Sequence, residues 1–172
     1  MGLRYPGGFV TATFNPLALT YNSPTPLIDL LVVGGGGASA VGTQSNSSGG
    51  TGGAGQTNTY ATGSSTTYAG GGGGGAQSTS AVGAGGSSIG GNGANQSGNA
   101  TAASVNTGSG GGGGAATNSG FGVPSAGASG VIVLRYPSFY GAATTTGSPT
   151  VSIVGGYRVY VFTATGTVNI SF

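Results

Sequence analysis

The sequence predicts an all-β protein. Short antiparallel strands from both chain ends are expected to form a sandwich or barrel-like structure around a glycine-rich excursion of polyglycine or polyproline II type, with essentially no helix. Three observations carry that expectation. Of the 42 glycines, 34 fall among the 97 residues 34–130, where Ala, Ser, Thr and Asn fill most of the remaining positions. The large apolar side chains are concentrated in the flanks, in short runs rich in β-branched and aromatic residues and bounded by turn residues. No segment shows the 3.6-residue apolar period of an amphipathic helix. The expected organisation is an N-terminal β segment (1–33), a glycine-rich region (34–130) and a C-terminal β segment (131–172) that pairs with the N-terminal one.

Taken in order, Phe9-Val10-Thr11-Ala12-Thr13-Phe14 and Leu17-Ala18-Leu19-Thr20-Tyr21 read as two strands about an Asn15-Pro16 turn. Leu27-Ile28-Asp29-Leu30-Leu31-Val32-Val33, ended by Gly34, and Val131-Ile132-Val133-Leu134-Arg135-Tyr136, ended by Pro137, are near-continuous apolar runs short enough to be buried strands. Both abut the glycine region, so they are expected in one sheet, with the glycine region leaving and returning as a single excursion. Residues 150–154 and 157–162 about Gly155-Gly156 form a hairpin pattern, and 167–172 reads as a last strand. Leu3-Arg4-Tyr5-Pro6 recurs as Leu134-Arg135-Tyr136-Pro137. Its simplest meaning is two equivalent strand endings, where Arg covers an apolar edge with its stem and Pro stops the pairing.

Three uninterrupted glycine runs, 34–37, 70–75 and 110–114, punctuate the middle. Each ordered Gly costs roughly 0.5–1 kcal/mol relative to Ala, so 34 of them impose on the order of 20–30 kcal/mol. Either the region is a flexible linker, or a dense backbone network offsets that cost. Collagen is excluded, because the glycine-free stretches 45–48 and 56–62 break its strict triplet. Polyproline II segments, with three residues per turn and no internal hydrogen bonds, are the remaining ordered form, and their N–H and C=O groups must pair with neighbours. The expectation is that the three runs bundle side by side, within one subunit or across subunits, and that the Ser/Thr/Asn-rich stretches between them are outer loops.

Composition removes much chemistry. Arg4, Asp29, Arg135 and Arg158 are the four charged residues, and there is no His, Cys, Lys, Glu or Trp. A single carboxylate without imidazole, thiol or amine leaves almost nothing for acid–base or nucleophilic catalysis, so no enzyme and no catalytic residue are expected. No cofactor is expected either: without Lys there is no P-loop, and no Gly-x-Gly-x-x-Gly pattern opens a helix. Asp29 has no acidic partner, so no metal site is expected. Three dispersed arginines cannot form the basic stripe of a nucleic-acid binder. No run reaches the length of a membrane span, and Met1 to Pro6 lacks the apolar region of a secretory signal, so neither membrane insertion nor signal-directed export is expected. Asp29, Arg4, Arg135 and Arg158 are instead expected to be structural edge residues. Tyr60 and Tyr68, isolated among small residues, are either contact residues for a glycan or protein partner or anchors of their loops on the glycine layer.

The order of motifs, Leu27 to Gly37, then glycine runs, then Gly130 to Pro137 and finally Tyr157 to Val168, resembles the glycine-rich domains of tail fibres and adhesins of tailed bacteriophages. The resemblance covers roughly residues 27–172. It implies a virion-surface protein whose glycine-rich part is displayed, whose β parts hold it together, and whose role is attachment to a host-surface glycan or protein. It also implies contacts with other virion proteins and a homotrimeric form. Residues 1–26 depart from the pattern and no heptad shaft precedes the domain, which leaves open a capsid decoration or short capsid fibre protein. Oligomerisation is expected on physical grounds too, because some 75 residues with ordinary core side chains, split between two ends, make a small core. A competing class is an ice- or surface-binding protein built from packed polyglycine helices, although such a design has no need of the apolar flanks.

Overall fold

The computed structural model of the chain describes residues 26–36, 48–77, 80–117 and 120–172. Arg4, the strands expected at 9–14 and 17–21, and the first copy of the Leu-Arg-Tyr-Pro repeat lie outside them. Among the described residues the chain forms β1 (Asp29–Val33), β2 (Gln56–Asn58), β3 (Thr66–Tyr68), β4 (Ala115–Thr117), β5 (Gly120–Gly122), β6 (Val131–Pro137), β7 (Thr144–Thr145), β8 (Thr150–Val154), β9 (Tyr157–Phe162) and β10 (Ile170–Ser171). The fold is all-β with antiparallel pairing, and among the described residues there is no α-helix and one 3-10 turn, Gly86–Ser88.

The main sheet has the order β1-β6-β9-β8. β1 and β6 are direct neighbours, Leu30 opposite Leu134 and Val32 opposite Ile132, so the glycine-rich region does leave and return to a single sheet. β8 and β9 are joined by Gly155 (φ +55) and Gly156 (φ +84), the paired left-handed conformations of a two-residue type I′ turn. The sheet is open rather than barrel-like: β1 and β8 are its edges among the described residues. Pro137 ends β6, as a residue without an N–H should.

Side-chain alternation divides the sheet into two faces. Val131, Val133 and Val159 pack on one face with Tyr68 from β3, helped by Leu31, Val33, Tyr60, Val154 and Tyr157. Leu134, Tyr136, Tyr160 and Phe162 pack on the other with Tyr140, Ala143, Val168 and Ile170, so the C-terminal ribbon β7–β10 covers the centre of that face. The expected strand over 167–172 is shorter than its sequence pattern, with only Ile170 and Ser171 pairing.

The glycine-rich region is an ordered bundle of seven extended segments, 48–55, 70–76, 81–86, 89–95, 99–104, 108–115 and 122–130, here numbered one to seven. Gly85 has φ −68° and ψ 143°, which is polyproline II geometry. Neighbouring segments bond at every third residue, once per turn of such a helix. Gly71 and Gly74 N–H donate to Gly53 and Gly50 O; Gly73 and Ala76 N–H to Gly91 and Ala94 O; Gly110 and Gly113 N–H to Gly70 and Gly73 O. Glycine is required for close approach rather than for left-handed backbone, since none of the glycines at 70–75 and 110–114 has a positive φ. A Cβ on Gly72 would lie 1.9 Å from Gly111 O, one on Gly73 2.0 Å from Gly83 O, and one on Gly75 1.9 Å from Gly114 O.

Two of the expected glycine runs, 70–75 and 110–114, therefore do lie side by side, while Gly37 of the first lies outside the described residues. The stretches between the runs are not simply outer loops, however. Residues 81–86, 89–95, 99–104 and 122–130 are members of the bundle. With three residues per turn, a segment packed on one side needs a small residue only at every third position, which Gly49, Gly52, Gly55 and Gly83, Gly86 supply. Segments two and six, each bonded to four neighbours, carry the continuous glycine runs, whereas segment four, also bonded to four, keeps Asn92 and Ala94 between its glycines.

Candidate functional site

The hydrogen-bond partners arrange the seven segments in two layers. Segments one, two, six and seven form one layer, and three, four and five the other: 83 and 86 bond to 74 and 71, 93 to 83, 91 and 94 to 110 and 113, 101 to 92, and 125 and 128 to 112 and 109. At roughly 3.1 Å per residue the bundle is about 20 Å long. Its near end abuts the sheet. A Cβ on Gly130 would meet Val33 O at 1.9 Å and one on Gly108 would meet Gly34 O at 2.2 Å, while segments one and two run directly into β2 and β3.

Of the sequence-predicted site residues, Asp29, Arg135 and Tyr60 meet at the end of the β1–β6 pair away from the bundle, while Tyr68 and Arg158 lie elsewhere on the sheet. Arg135 Nε donates to Asp29 Oδ2 at 2.8 Å, across the β6–β1 pair. Its guanidinium carbon also sits 4.0 Å from the Tyr60 ring centroid and 4.3 Å from that of Tyr157. The charge is thus held between two aromatic faces and a carboxylate, which fastens the 59–65 loop to the sheet. Tyr68 is only 7% exposed and belongs to the core, so it is a buried anchor rather than a free contact residue; burial raises its phenol pKa above the usual value. Its ring helps line a cleft of about 380 Å³ between β1 and β2–β3, together with Leu31, Val33, Gln56 and Asn58. Tyr60, half-buried against Arg135, takes the anchoring role as well. Arg158 directs Nη2 toward Ser138 and Tyr140 O, each at 3.4 Å, and so holds the loop after β6.

A second polar centre lies beneath the other face of the sheet and had no sequence signature. Tyr136 and Tyr160, both essentially inaccessible, stack at 5.8 Å with their hydroxyls 3.0 Å apart. Tyr136 OH donates to Gly141 O at 3.0 Å, so Tyr160 OH donates to Tyr136, and Ala143 N–H donates to both oxygens. Burial pushes the Tyr136 pKa up to about 12. These neutral phenols pin the C-terminal ribbon onto the sheet.

The surface available for recognition is at the opposite end of the bundle. There the described ends of the connections lie together: 76–77 and 80–81, the tight turn at Asn95–Gly98, and the paired strands β4 and β5. They brace one another. Asn95 Nδ2 donates to Ser80 O at 3.2 Å, Ser97 N–H to Asn95 Oδ1 at 2.9 Å, and Val123 N–H to Asn99 Oδ1 at 3.1 Å. Gln77, Gln96, Ser97 and Asn99 are exposed on this tip. Not one charged residue occurs between Asp29 and Arg135. The tip therefore offers amide, hydroxyl and backbone groups to a partner and no net field. The sequence signal for it was the clustering of Asn and Gln at the breaks between glycine segments.

No family model, curated protein or solved structure matches this chain. Among the described residues, no three His, Cys, Asp or Glu side chains come together as a metal site.

Proposed function

We propose that this protein is a non-enzymatic structural protein of a virus particle surface, a tail-fibre or adhesin subunit that presents the tip of its polyglycine bundle to a host-surface glycan or protein. One observation carries the reading: the bundle is held at one end by the sheet, while its connecting turns emerge together, mutually braced, at the other. A stiff rod with an uncharged recognition tip is what an attachment protein requires, because rigid segments present loops without an ordering cost on binding. The motif resemblance supports the virion location, and the scarcity of ionisable groups supports a role without turnover.

Mass spectrometry of density-purified particles tests the reading. Chymotrypsin is the suitable protease, since the chain has only three arginines and no lysine. Peptides of this chain should appear at structural-protein abundance, and antibody against the 76–81 and 95–99 turns should block adsorption. Absence from purified particles overturns the proposal. Presence without any effect of the antibody favours a capsid decoration or short capsid fibre role.

A surface-binding alternative has one observation of its own. Ser48, Thr51 and Ala54 on segment one, and Ala81, Ala84 and Ser87 on or just after segment three, are exposed at every third position on adjacent parallel segments. Such rows repeat at roughly 9 Å. A positive thermal-hysteresis assay would favour that reading.

A further inference from the structure

We infer that the outer face of the four-segment layer is a self-association surface, on which a second copy of this chain docks its own equivalent face across a two-fold axis and continues the polyglycine packing from one molecule into the next. The inference is independent of what the tip recognises.

Segment two illustrates the geometry. Its N–H groups at 71 and 74 donate to segment one, and those at 73 and 76 to segment four; its carbonyls at 71 and 74 accept from segment three, and those at 70 and 73 from segment six. Three-fold periodicity leaves residues 72 and 75, whose N–H and C=O groups fall on the side with no neighbouring segment among the described residues. Segment six repeats the pattern at 111 and 114. Gly72, Gly75, Gly111 and Gly114 make no backbone hydrogen bond to any described residue. Gly72, Gly75 and Gly111 are half-buried, and Gly114 is exposed. Donors and acceptors thus alternate on one flat face at a repeat of roughly 9 Å.

Two glycines on the same face are approached less closely than the rest. A Cβ on Gly74 would come no closer than 3.1 Å to Gly50 N, and one on Gly113 no closer than 3.2 Å to Gly75 N. At the positions packed against neighbouring segments the corresponding approach is about 1.9–2.1 Å, as at Gly49, Gly52, Gly72 and Gly83. Side chains at 74 and 113 would project from the open face, and their absence keeps that face bare. The exposed rows on segments one and three, by contrast, carry Ser, Thr and Ala side chains.

A second copy is the occupant that fits. A face holding both donors and acceptors at one repeat is complementary to itself, and antiparallel packing of this kind already joins segments one and two through bonds of 2.8 and 2.7 Å. Residues 30–134 carry no charge to oppose the approach of an identical face. Two flat, self-complementary faces make an isologous contact that closes at two copies. A dimer therefore follows from this geometry, where the motif resemblance implies a trimer.

Light scattering on the full chain at low micromolar concentration should give about 32 kDa, twice the 15.9 kDa chain. Gly113→Glu should give 15.9 kDa with an unchanged β-sheet circular dichroism spectrum. Gly141→Glu, at a site with nothing within 4 Å of an added Cβ, should remain dimeric. A monomeric or trimeric wild type overturns the inference, as does a Gly113→Glu variant that remains dimeric. If Gly113→Glu fails to fold, amide exchange of the wild type decides. The N–H groups of Gly72, Gly75, Gly111 and Gly114 should be protected in the dimer and exchange on dilution to monomer. Protection that does not depend on concentration means that the same chain fills the face, and it overturns the inference too.

Discussion

Replacing Gly73 by alanine separates close approach from chain entropy as the reason for glycine in the bundle. Where there is room and φ is negative, Gly→Ala stabilises a protein by about 0.4–1 kcal/mol through the unfolded chain. At Gly73 there is no room. The new Cβ would sit 2.0 Å from Gly83 O, 2.5 Å from Gly83 C and 2.9 Å from Ala84 C. Ordinary contact begins near 3.4 Å, so segments two and three must separate by more than 1 Å. That separation breaks the bonds from Gly83 N–H to Gly74 O (2.9 Å) and from Gly86 N–H to Gly71 O (2.8 Å). Each buried group left unpaired costs about 1–3 kcal/mol. With one group of each broken bond left unpaired the cost is about 2–6 kcal/mol, or about 1–5 kcal/mol after the entropic gain, a large part of a typical domain's stability. Urea unfolding followed by tyrosine fluorescence measures it. Gly98→Ala, with nothing within 4 Å and no positive φ, is the matched control and should be neutral or slightly stabilising. If Gly73→Ala behaves like Gly98→Ala, segments two and three are not packed as described.

Three further outcomes follow from the junction and the core. Ser109→Ala should cost about 1–3 kcal/mol in the same assay, because the fully buried Ser109 Oγ accepts from Gly70 N–H at 3.1 Å and from Thr107 Oγ1 at 2.7 Å. Arg135→Ala should cost about 1–3 kcal/mol through loss of the Asp29 pair and of both aromatic contacts, and Arg135→Lys should recover less than half, since an ammonium lacks the planar stacking group. Alkaline pH should destabilise the fold. With the Tyr136 pKa raised from 10.0 to about 12, the folded state keeps a proton that the unfolded state releases, so this contribution is complete below pH 10 and is lost as pH rises through 12. Urea midpoints measured between pH 9 and 12 should fall, and Tyr136→Phe should flatten that fall.

The four strands of the main sheet were legible because apolar runs of five to seven residues, ended by Gly34, Pro137 or the Gly155-Gly156 pair, allow few other readings, whereas the short strands β2 to β5 and β7 left no such run. That β1 and β6 pair also followed from their shared position at the mouths of the glycine region. The extent of the bundle was less legible. Continuous glycine marks only the segments surrounded on most sides. One-sided packing leaves a weaker trace, a small residue at every third position over two or three turns, which a search for long runs or for a strict collagen triplet passes over. Arg135 gave no warning that it would lie between Tyr60 and Tyr157, since the contact joins residues 75 positions apart through the return of the excursion. The Tyr136–Tyr160 pair was hidden for a related reason: it depends on the β6–β9 register and on Ala143, which comes from a loop.

Amide hydrogen exchange resolved at single glycines tests the polyglycine bundle most directly. The N–H groups of Gly71, Gly73, Gly74, Gly91, Gly110 and Gly113, each bonded to a carbonyl of a neighbouring segment, should be protected to nearly the level of the Val133 and Val159 amides in the sheet. Exchange of these six at the rates of an unfolded glycine chain, with the sheet still protected, would contradict the account and return residues 48–130 to the status of a flexible linker.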